Sequence, residues 1–125
     1  MKVTLRPLTL GDVPEVYRLT SMPQVAKYMR FDTHQEEAEA RALVEEYLEP
    51  GNYGFAVISE KGEFVGVMAM KKSEEINGDY TMSAFSPPDF WGMGIFTQVV
   101  GLIIPFAREK AGALSLTGHI IEANI

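Results

Sequence analysis

With 125 residues, of which 46% are apolar and 22% charged, the chain is expected to fold as one globular domain spanning residues 1–125. A net charge of −6 argues against a nucleic-acid partner, and the lack of cysteine excludes disulfides and thiolate metal sites and suits the cytoplasm. No apolar run reaches the roughly 20 residues that span a bilayer, and the charged start is not that of a signal peptide, so we expect no membrane partner.

The first half of the chain predicts one strand followed by two helices. Residues 3–7 alternate apolar and polar and end at a proline, as in a short edge strand. Residues 9–12 carry the threonine-x-x-acid pattern of a helix start, and the apolar stripe behind them closes at Pro23. After a short apolar stretch, the capping box Thr33-His34-Gln35-Glu36 predicts the start of a second helix, which we expect to end at Pro50.

The second half predicts a meander of three antiparallel strands, then a helix and a last strand. The strands occupy residues 54–59, 64–70 and 80–85, with tight turns between them. The helix follows at 95–106 and the last strand at 115–122. The order is βααβββαβ, which predicts an α+β domain with one mixed sheet flanked by helices.

The most informative segment joins the third meander strand to the following helix. It contains Gly92 and Gly94 directly before the helix start. Backbone N–H groups at a helix N-terminus favour anions, and glycines let the backbone approach a phosphate closely. Two glycines before a helix can also be simple turn residues, so this motif alone leaves both interpretations open.

An ordered set of motifs extends over nearly the whole chain. They are Leu5-Arg6-Pro7-Leu8, Asp12, Phe64-Val65-Gly66, Pro88-Asp89-Phe90-Trp91-Gly92-Met93-Gly94 and Asn124. Together they resemble the GNAT superfamily of acetyl-CoA-dependent N-acetyltransferases, and most of all the branch that acetylates the N-termini of ribosomal proteins and the related antibiotic and small-amine enzymes.

The resemblance implies acetyl-CoA as cofactor and an amine as the second substrate. It assigns the cofactor to the strand end, to the pyrophosphate loop and to the close of the last strand: Ala84, Phe85, Ser86, Trp91, Gly92, Met93, Gly94, Ile95, Phe96, Thr97 and Asn124. The strand end would be bulged, so that its backbone can pair with the pantetheine arm. The acceptor amine is expected to contact Tyr28, Met29, Arg30 and Phe31.

Three departures from the family pattern shape our expectations. Met93 replaces a residue that is commonly basic or polar in this branch. Phe96 occupies a position that is usually small, where its ring would crowd the phosphate. The family continues beyond Asn124 through a helix and further strands, which often supply a tyrosine that protonates the departing thiolate. In the shortened domain the last strand would be an edge with apolar side chains, so we expect a homodimer.

Candidates for the proton transfer are Ser83, His119 and Glu122, because they lie on the two strands beside the expected cofactor. For His119 a purely structural role is the alternative. His34 stands in the predicted first turn of a helix, which favours an exposed or capping role. No grouping of histidine and acidic residues has metal-ligand spacing, so no metal is expected.

The sequence therefore predicts an N-acetyltransferase that moves an acetyl group from acetyl-CoA to a primary amine, either a protein N-terminus or a small amine. The alternative is a catalytically inactive, shortened relative that binds CoA or another protein. Phe96 favours that alternative, whereas the glycines and Thr97 favour the enzyme.

Overall fold

The computed structural model describes residues 2–29 and 32–120. Its elements are β1 (Val3–Pro7), α1 (Val13–Thr20), α2 (Pro23–Met29), α3 (Glu37–Tyr47), β2 (Tyr53–Ser59), β3 (Phe64–Lys72), β4 (Asp79–Phe85), α4 (Ile95–Glu109) and β5 (Ser115–Ile120). One sheet has the strand order β1-β2-β3-β4-β5, in which only the β4–β5 pair is parallel. The predicted α+β fold with one mixed sheet is confirmed. None of the helices within the described ranges is long and apolar enough to cross a membrane.

The sheet buries an apolar cluster on each of its faces. The cluster on the α4 face joins β3 side chains such as Met68 and Met70 to Ile95, Val99 and Ile103 of α4. The other face is covered by α1, α2 and α3 and is called the α1–α3 face. Its cluster joins strand side chains to helix side chains: Ala56, Val67, Ala69 and Phe85 against Val16, Leu19, Val25 and Val44. Because strand side chains alternate between the faces, one sheet supports helices on both sides.

On the α1–α3 face, α1 is attached to β1 by an ion pair. The Arg6 guanidinium donates to both carboxylate oxygens of Asp12, at 2.9 and 2.8 Å. The Thr9 N–H donates to the same carboxylate at 2.9 Å. This backbone donor before the helix therefore has an acceptor, as the threonine-x-x-acid pattern predicts. The hydrogen bond from Arg6 is the main cause that lowers the pKa of Asp12 below its ordinary value, and the same bond raises the pKa of Arg6.

On the α4 face, the attachment to β1 is a neutral hydrogen bond. The Val3 N–H donates to the side-chain oxygen of Gln98 at 3.1 Å, joining residues that are 95 positions apart in the chain. Around it, Val3 is buried in the same apolar cluster as Ile95 and Phe96. The first two turns of α4 are therefore packed against the N-terminal end of the sheet.

Three helices, not two, precede β2. Pro23 was expected to close a helix, but it is the first residue of α2, because a proline in the first turn gives up an N–H that has no partner within the helix. The predicted helix start at Thr33 is also wrong, since α3 begins at Glu37. His34 is instead attached to the end of α1, where its N–H donates to the Thr20 carbonyl at 3.1 Å and its Nδ1 lies 2.8 Å from the Thr20 hydroxyl.

The strand end at β4 lacks the expected bulge. The β3–β4 register runs without a shift from Lys72↔Tyr80 to Val67↔Phe85, so β4 carries no bulge. The register shift lies between Val57 and Ile58, where β2 pairs with β3. The parallel pairing of β4 with β5 reaches Ala84↔Ile120, so the two strands do not separate within the described residues.

Candidate functional site

The candidate site begins where β4 leaves the sheet. Ala84, Phe85 and Ser86 are all buried, with exposures of 0%, 0% and 1%. Within the described residues, the pairing of β4 with β5 extends to Ala84↔Ile120, and Phe85 and Ser86 come next in the chain. A short 3-10 turn over Pro88–Phe90 then redirects the chain toward α4. The predicted cofactor residues of the strand end are therefore inside the fold, and a ligand could reach them mainly through backbone groups of Phe85 and Ser86.

Trp91 closes the loop between β4 and α4. Its indole Nε1–H donates to the Ser86 carbonyl at 3.0 Å, across five positions of the chain. The ring is partly buried against the apolar cluster on the α1–α3 face. Because a buried indole needs a hydrogen-bond acceptor, this contact fixes the ring and the base of the loop together.

Gly92 and Gly94 give the loop its shape. Both adopt the left-handed conformation, with φ of 79° and 71°, which costs a residue with a side chain about 1 kcal/mol. A Cβ added at either glycine would meet no atom within 4 Å, so the backbone here is open on its outer side. The 15-residue helix α4 starts at the next residue, and the positive end of its dipole points into the same space. This arrangement is suited to binding a phosphate group.

The residues that follow the glycines divide into buried and exposed ones. Ile95 and Phe96 are 1% and 2% exposed, and the Phe96 ring lies in the core under the sheet. The expectation that this ring crowds the loop is therefore wrong, because the first helical turn directs it inward, toward Gly66. Met93 is 44% exposed, and Thr97 is exposed in the first turn of α4.

Two of the three proton-transfer candidates occupy paired positions. Ser83 on β4 and His119 on β5 are partners in the parallel ladder. The Ser83 side chain is half-buried and, by the alternation along β4, lies on the α1–α3 side of the sheet. Glu122 and Asn124 lie outside the described residues.

Of the four predicted acceptor residues, Tyr28 and Met29 form the last turn of α2. Arg30 and Phe31 lie outside the described residues. In the ranges that the structure covers, no three histidine or acidic residues are placed to hold a metal ion.

A cleft of about 470 Å³ lies beside the loop on the α1–α3 side. Its apolar lining, here called the floor, consists of Met22, Phe64, Pro87, Pro88 and Phe90, and its charged lining, here called the rim, consists of Glu15, Arg18, Glu63 and Asp89. Arg18 donates to Glu15 at 3.2 Å and is therefore largely neutralised within the rim. Glu63 and Asp89 leave the cleft with an excess of negative charge. No local pattern in the sequence indicates this cleft, because its lining comes from three distant segments of the chain.

Gln98 was also missed as a residue of this region. Its backbone N–H donates to the Gly94 carbonyl at 3.3 Å, while its side chain accepts from Val3. A glutamine on an amphipathic helix carries no sequence signal for a partner that is 95 positions away.

Comparisons with known proteins agree with the fold. The family model of the acetyltransferase (GNAT) domain matches residues 2–125. The chain is 24% identical, over 129 residues, to an uncharacterised N-acetyltransferase, p20, of Bacillus licheniformis, covering 99% of this chain and 70% of that protein.

Two solved structures share the fold. One is spermidine N-acetyltransferase from Vibrio cholerae in complex with CoA and spermine, with a TM-score of 0.77 and 15% identity over 89% of this chain and 66% of that one. Another is a dodecameric structure of spermidine N-acetyltransferase from Vibrio cholerae, with a TM-score of 0.70 and 14% identity over 89% of this chain and 65% of that one. The chain thus spans about two thirds of the length of these neighbours.

The family model matches residues on every strand and helix that the structure describes, and the sheet is the mixed one that the sequence predicts. On these grounds the chain belongs to the GNAT family of acetyltransferase domains.

Proposed function

We propose that this chain transfers an acetyl group from acetyl-CoA to a primary amine. The observation that carries the proposal is the pair of left-handed glycines, Gly92 and Gly94, open on one side and set at the start of a 15-residue helix. Helix N–H groups and the helix dipole at this point favour the pyrophosphate of CoA. Because the Phe96 ring is buried in the core, it does not obstruct the loop. The steric argument that favoured an inactive relative is therefore removed.

Bound acetyl-CoA supplies a thioester, whose C–S bond breaks as the amine nitrogen bonds to the acetyl carbon. The chain's own task is to hold the two reactants close together and to stabilise the charge that develops on the carbonyl oxygen. The N–H groups of residues 92–97 would hold the phosphates, and the exposed Thr97 hydroxyl would add one donor. By the resemblance, the backbone of Ala84 to Ser86 at the end of β4 would face the pantetheine arm.

The amine must lose a proton as it is acetylated, and the thiolate of CoA must gain one. We assign the first step to Ser83 and His119, directly or through a water, because the ladder places their backbones side by side. Glu122 and Asn124 stay proposals from the sequence, as proton carrier and cofactor ligand.

The acceptor that the cleft favours is a cationic amine. Glu63 and Asp89 on its rim would attract an ammonium group toward the loop, and the apolar floor would take a hydrocarbon chain. A structural neighbour from Vibrio cholerae binds spermine, which fits this class. Protein N-termini, the acceptors of the ribosomal-protein branch, also carry a cationic amine. Tyr28 and Met29 at the end of α2 would complete the acceptor side, and Arg30 and Phe31 stay proposals from the sequence.

The cofactor assignment can be tested by thermal denaturation with CoA and acetyl-CoA. At a ligand concentration about 100-fold above Kd, binding adds about 2.7 kcal/mol to the free energy of unfolding, and Tm should rise accordingly. Gly94→Glu should abolish the rise, because its carboxylate would repel the phosphates. Gly62→Glu is the matched control, since Gly62 also has a positive φ of 82° and open space but lies in the β2–β3 turn. A wild type that shows no rise at millimolar ligand would contradict the assignment.

Transfer itself is tested by the release of free CoA in the presence of polyamines, small monoamines and N-terminal peptides. Asp89→Asn should raise KM for cationic amines and leave the KM for acetyl-CoA unchanged. Glu60→Gln, an exposed acid in the β2–β3 turn that does not line the cleft, serves as its control. Binding of CoA without release for any amine would support the inactive alternative.

We also propose that the protein is a cytoplasmic homodimer. Leu114, at the start of β5, is 84% exposed, and Ile104 on α4 is 41% exposed beside it, across a groove that also contains Leu116. Apolar side chains of this kind are typical of contacts between copies of a chain. Sedimentation at micromolar concentration should show a dimer that Leu114→Lys weakens, whereas a monomeric wild type would contradict the proposal.

A further inference from the structure

We propose that Gln98 is a positioning residue for the phosphate loop, which it holds in place through the edge strand β1. The inference rests on the proposed function, because it concerns how the loop is aimed at CoA. Gln98 acts through the start of α4 and through Gly94.

Two hydrogen bonds of Gln98 connect β1 to the loop. Its side-chain oxygen accepts the Val3 N–H at 3.1 Å, and its backbone N–H donates to the Gly94 carbonyl at 3.3 Å. Val3 is 4% exposed and lies at the start of β1, an edge strand whose only ladder partner in the described sheet is β2. A buried N–H that lacks a ladder partner needs another acceptor, and Gln98 provides it.

The apolar contacts of α4 cannot by themselves set the direction of the loop. Ile95 and Phe96 hold the first turn on the sheet, but such contacts are non-directional and tolerate small rotations of a helix about its axis. A hydrogen bond weakens steeply with misalignment, so the Val3–Gln98 bond fixes the rotation of α4 at its N-terminal end. The N–H groups at this end of α4 are those that would contact the phosphates. The direction in which they point therefore depends on Gln98.

The test compares Gln98→Met, which keeps the length of the side chain and removes the acceptor, with Ala107→Gly. Ala107 is buried toward the other end of α4, and glycine there destabilises the same helix without touching the loop. We expect Gln98→Met to raise Kd for CoA, measured by calorimetry well below Tm, by about threefold to tenfold. The KM for acetyl-CoA should rise equally, while kcat stays within about twofold of the wild type. Ala107→Gly should lower Tm and leave Kd unchanged.

Val3→Pro removes the donor of the same bond, at a strand position where proline is tolerated. The double variant Val3→Pro/Gln98→Met should bind CoA as Val3→Pro alone does, because both changes break one interaction. In the wild type the Val3 amide should exchange slowly with solvent, and Gln98→Met should accelerate its exchange.

The possible failures are distinguishable. Wild-type binding with an unchanged Kd in Gln98→Met would overturn the inference alone. An equal rise of Kd in Ala107→Gly would also overturn it, because the effect would then follow from helix stability. A wild type that does not bind CoA would overturn the proposed function and this inference together.

Discussion

β1 holds a helix on each face of the sheet, and the two attachments differ in their chemistry. On one face the Arg6–Asp12 ion pair holds the start of α1, with the Arg6 side chain 46% and the Asp12 side chain 9% exposed. On the other face the neutral Val3–Gln98 hydrogen bond holds the start of α4, and its donor lies in the core.

The difference follows from what each helix start must do. The start of α1 is structural, and a buried carboxylate there can accept both the Arg6 guanidinium and the Thr9 N–H. The start of α4 faces the candidate phosphate site, where a fixed carboxylate would repel the ligand. A neutral amide holds that helix without adding negative charge beside the loop.

The largest effect on the α4 side should come from removing the apolar contact that accompanies the hydrogen bond. Phe96→Ala empties a site that is 2% exposed and should lower the free energy of unfolding by about 3–5 kcal/mol in urea denaturation. Met93→Ala, three positions earlier and 44% exposed, should change it by less than about 0.5 kcal/mol. Equal effects would mean that the Phe96 ring is not in the core.

The charged attachment is tested by Asp12→Ala. We expect a loss of about 1.5–3 kcal/mol in the free energy of unfolding, because hydrogen bonds to a charged partner are lost and the Thr9 N–H loses its acceptor. Glu15→Ala is the control on the same helix. It removes an exposed pair with Arg18 and should cost only about 0.2–0.5 kcal/mol.

Gln98→Met should destabilise the fold less than Asp12→Ala. A neutral hydrogen bond contributes about 0.5–1.5 kcal/mol to the free energy of unfolding. Chemical denaturation of the two variants under the same conditions gives the ratio directly. A larger loss for Gln98→Met would show that the neutral attachment is the stronger of the two.

The smallest expected effect is the pH dependence of stability, and it distinguishes the charged attachment from the neutral one. The folded pKa of Asp12 is lowered mainly by the hydrogen bond from Arg6, so the folded state binds this proton less readily than the unfolded state does. The contribution of the pair to stability is therefore complete above the ordinary aspartate pKa of about 4, and it is lost as the pH falls through the lower folded value.

The stability difference between the wild type and Asp12→Asn should shrink as the pH is lowered below about 4 in urea denaturation. The difference between the wild type and Gln98→Met should not respond to the pH through these groups. A constant difference for Asp12→Asn would mean that the ion pair does not couple folding to this proton.

The parts of the fold that the sequence predicts are those with local causes. The strands β2 to β4 follow from their apolar runs and the turns between them, and the start of α4 follows from Gly94. The role of Pro23 was predicted wrongly, because a proline can follow the end of one helix or stand in the first turn of the next. The helix start at Thr33 failed because His34 bonds to Thr20 of α1, a tertiary contact that outweighs the local pattern.

In the candidate site, the loop was predictable but its support was not. Glycine spacing marks Gly92 and Gly94, whereas the inward direction of Phe96 depends on which face of α4 meets the sheet. The bond between Val3 and Gln98 joins β1 to α4 across 95 positions of the chain, and no local pattern encodes it. The cleft likewise depends on how α1, the β2–β3 turn and the loop assemble.

Trp91 is the only tryptophan of the chain. Its indole is held by Ser86 at the base of the glycine loop, directly before Gly92. Any tryptophan emission from this protein therefore originates at the candidate phosphate site. A change in emission intensity or wavelength during a titration reports the surroundings of that single ring, without a label and without a contribution from elsewhere in the fold.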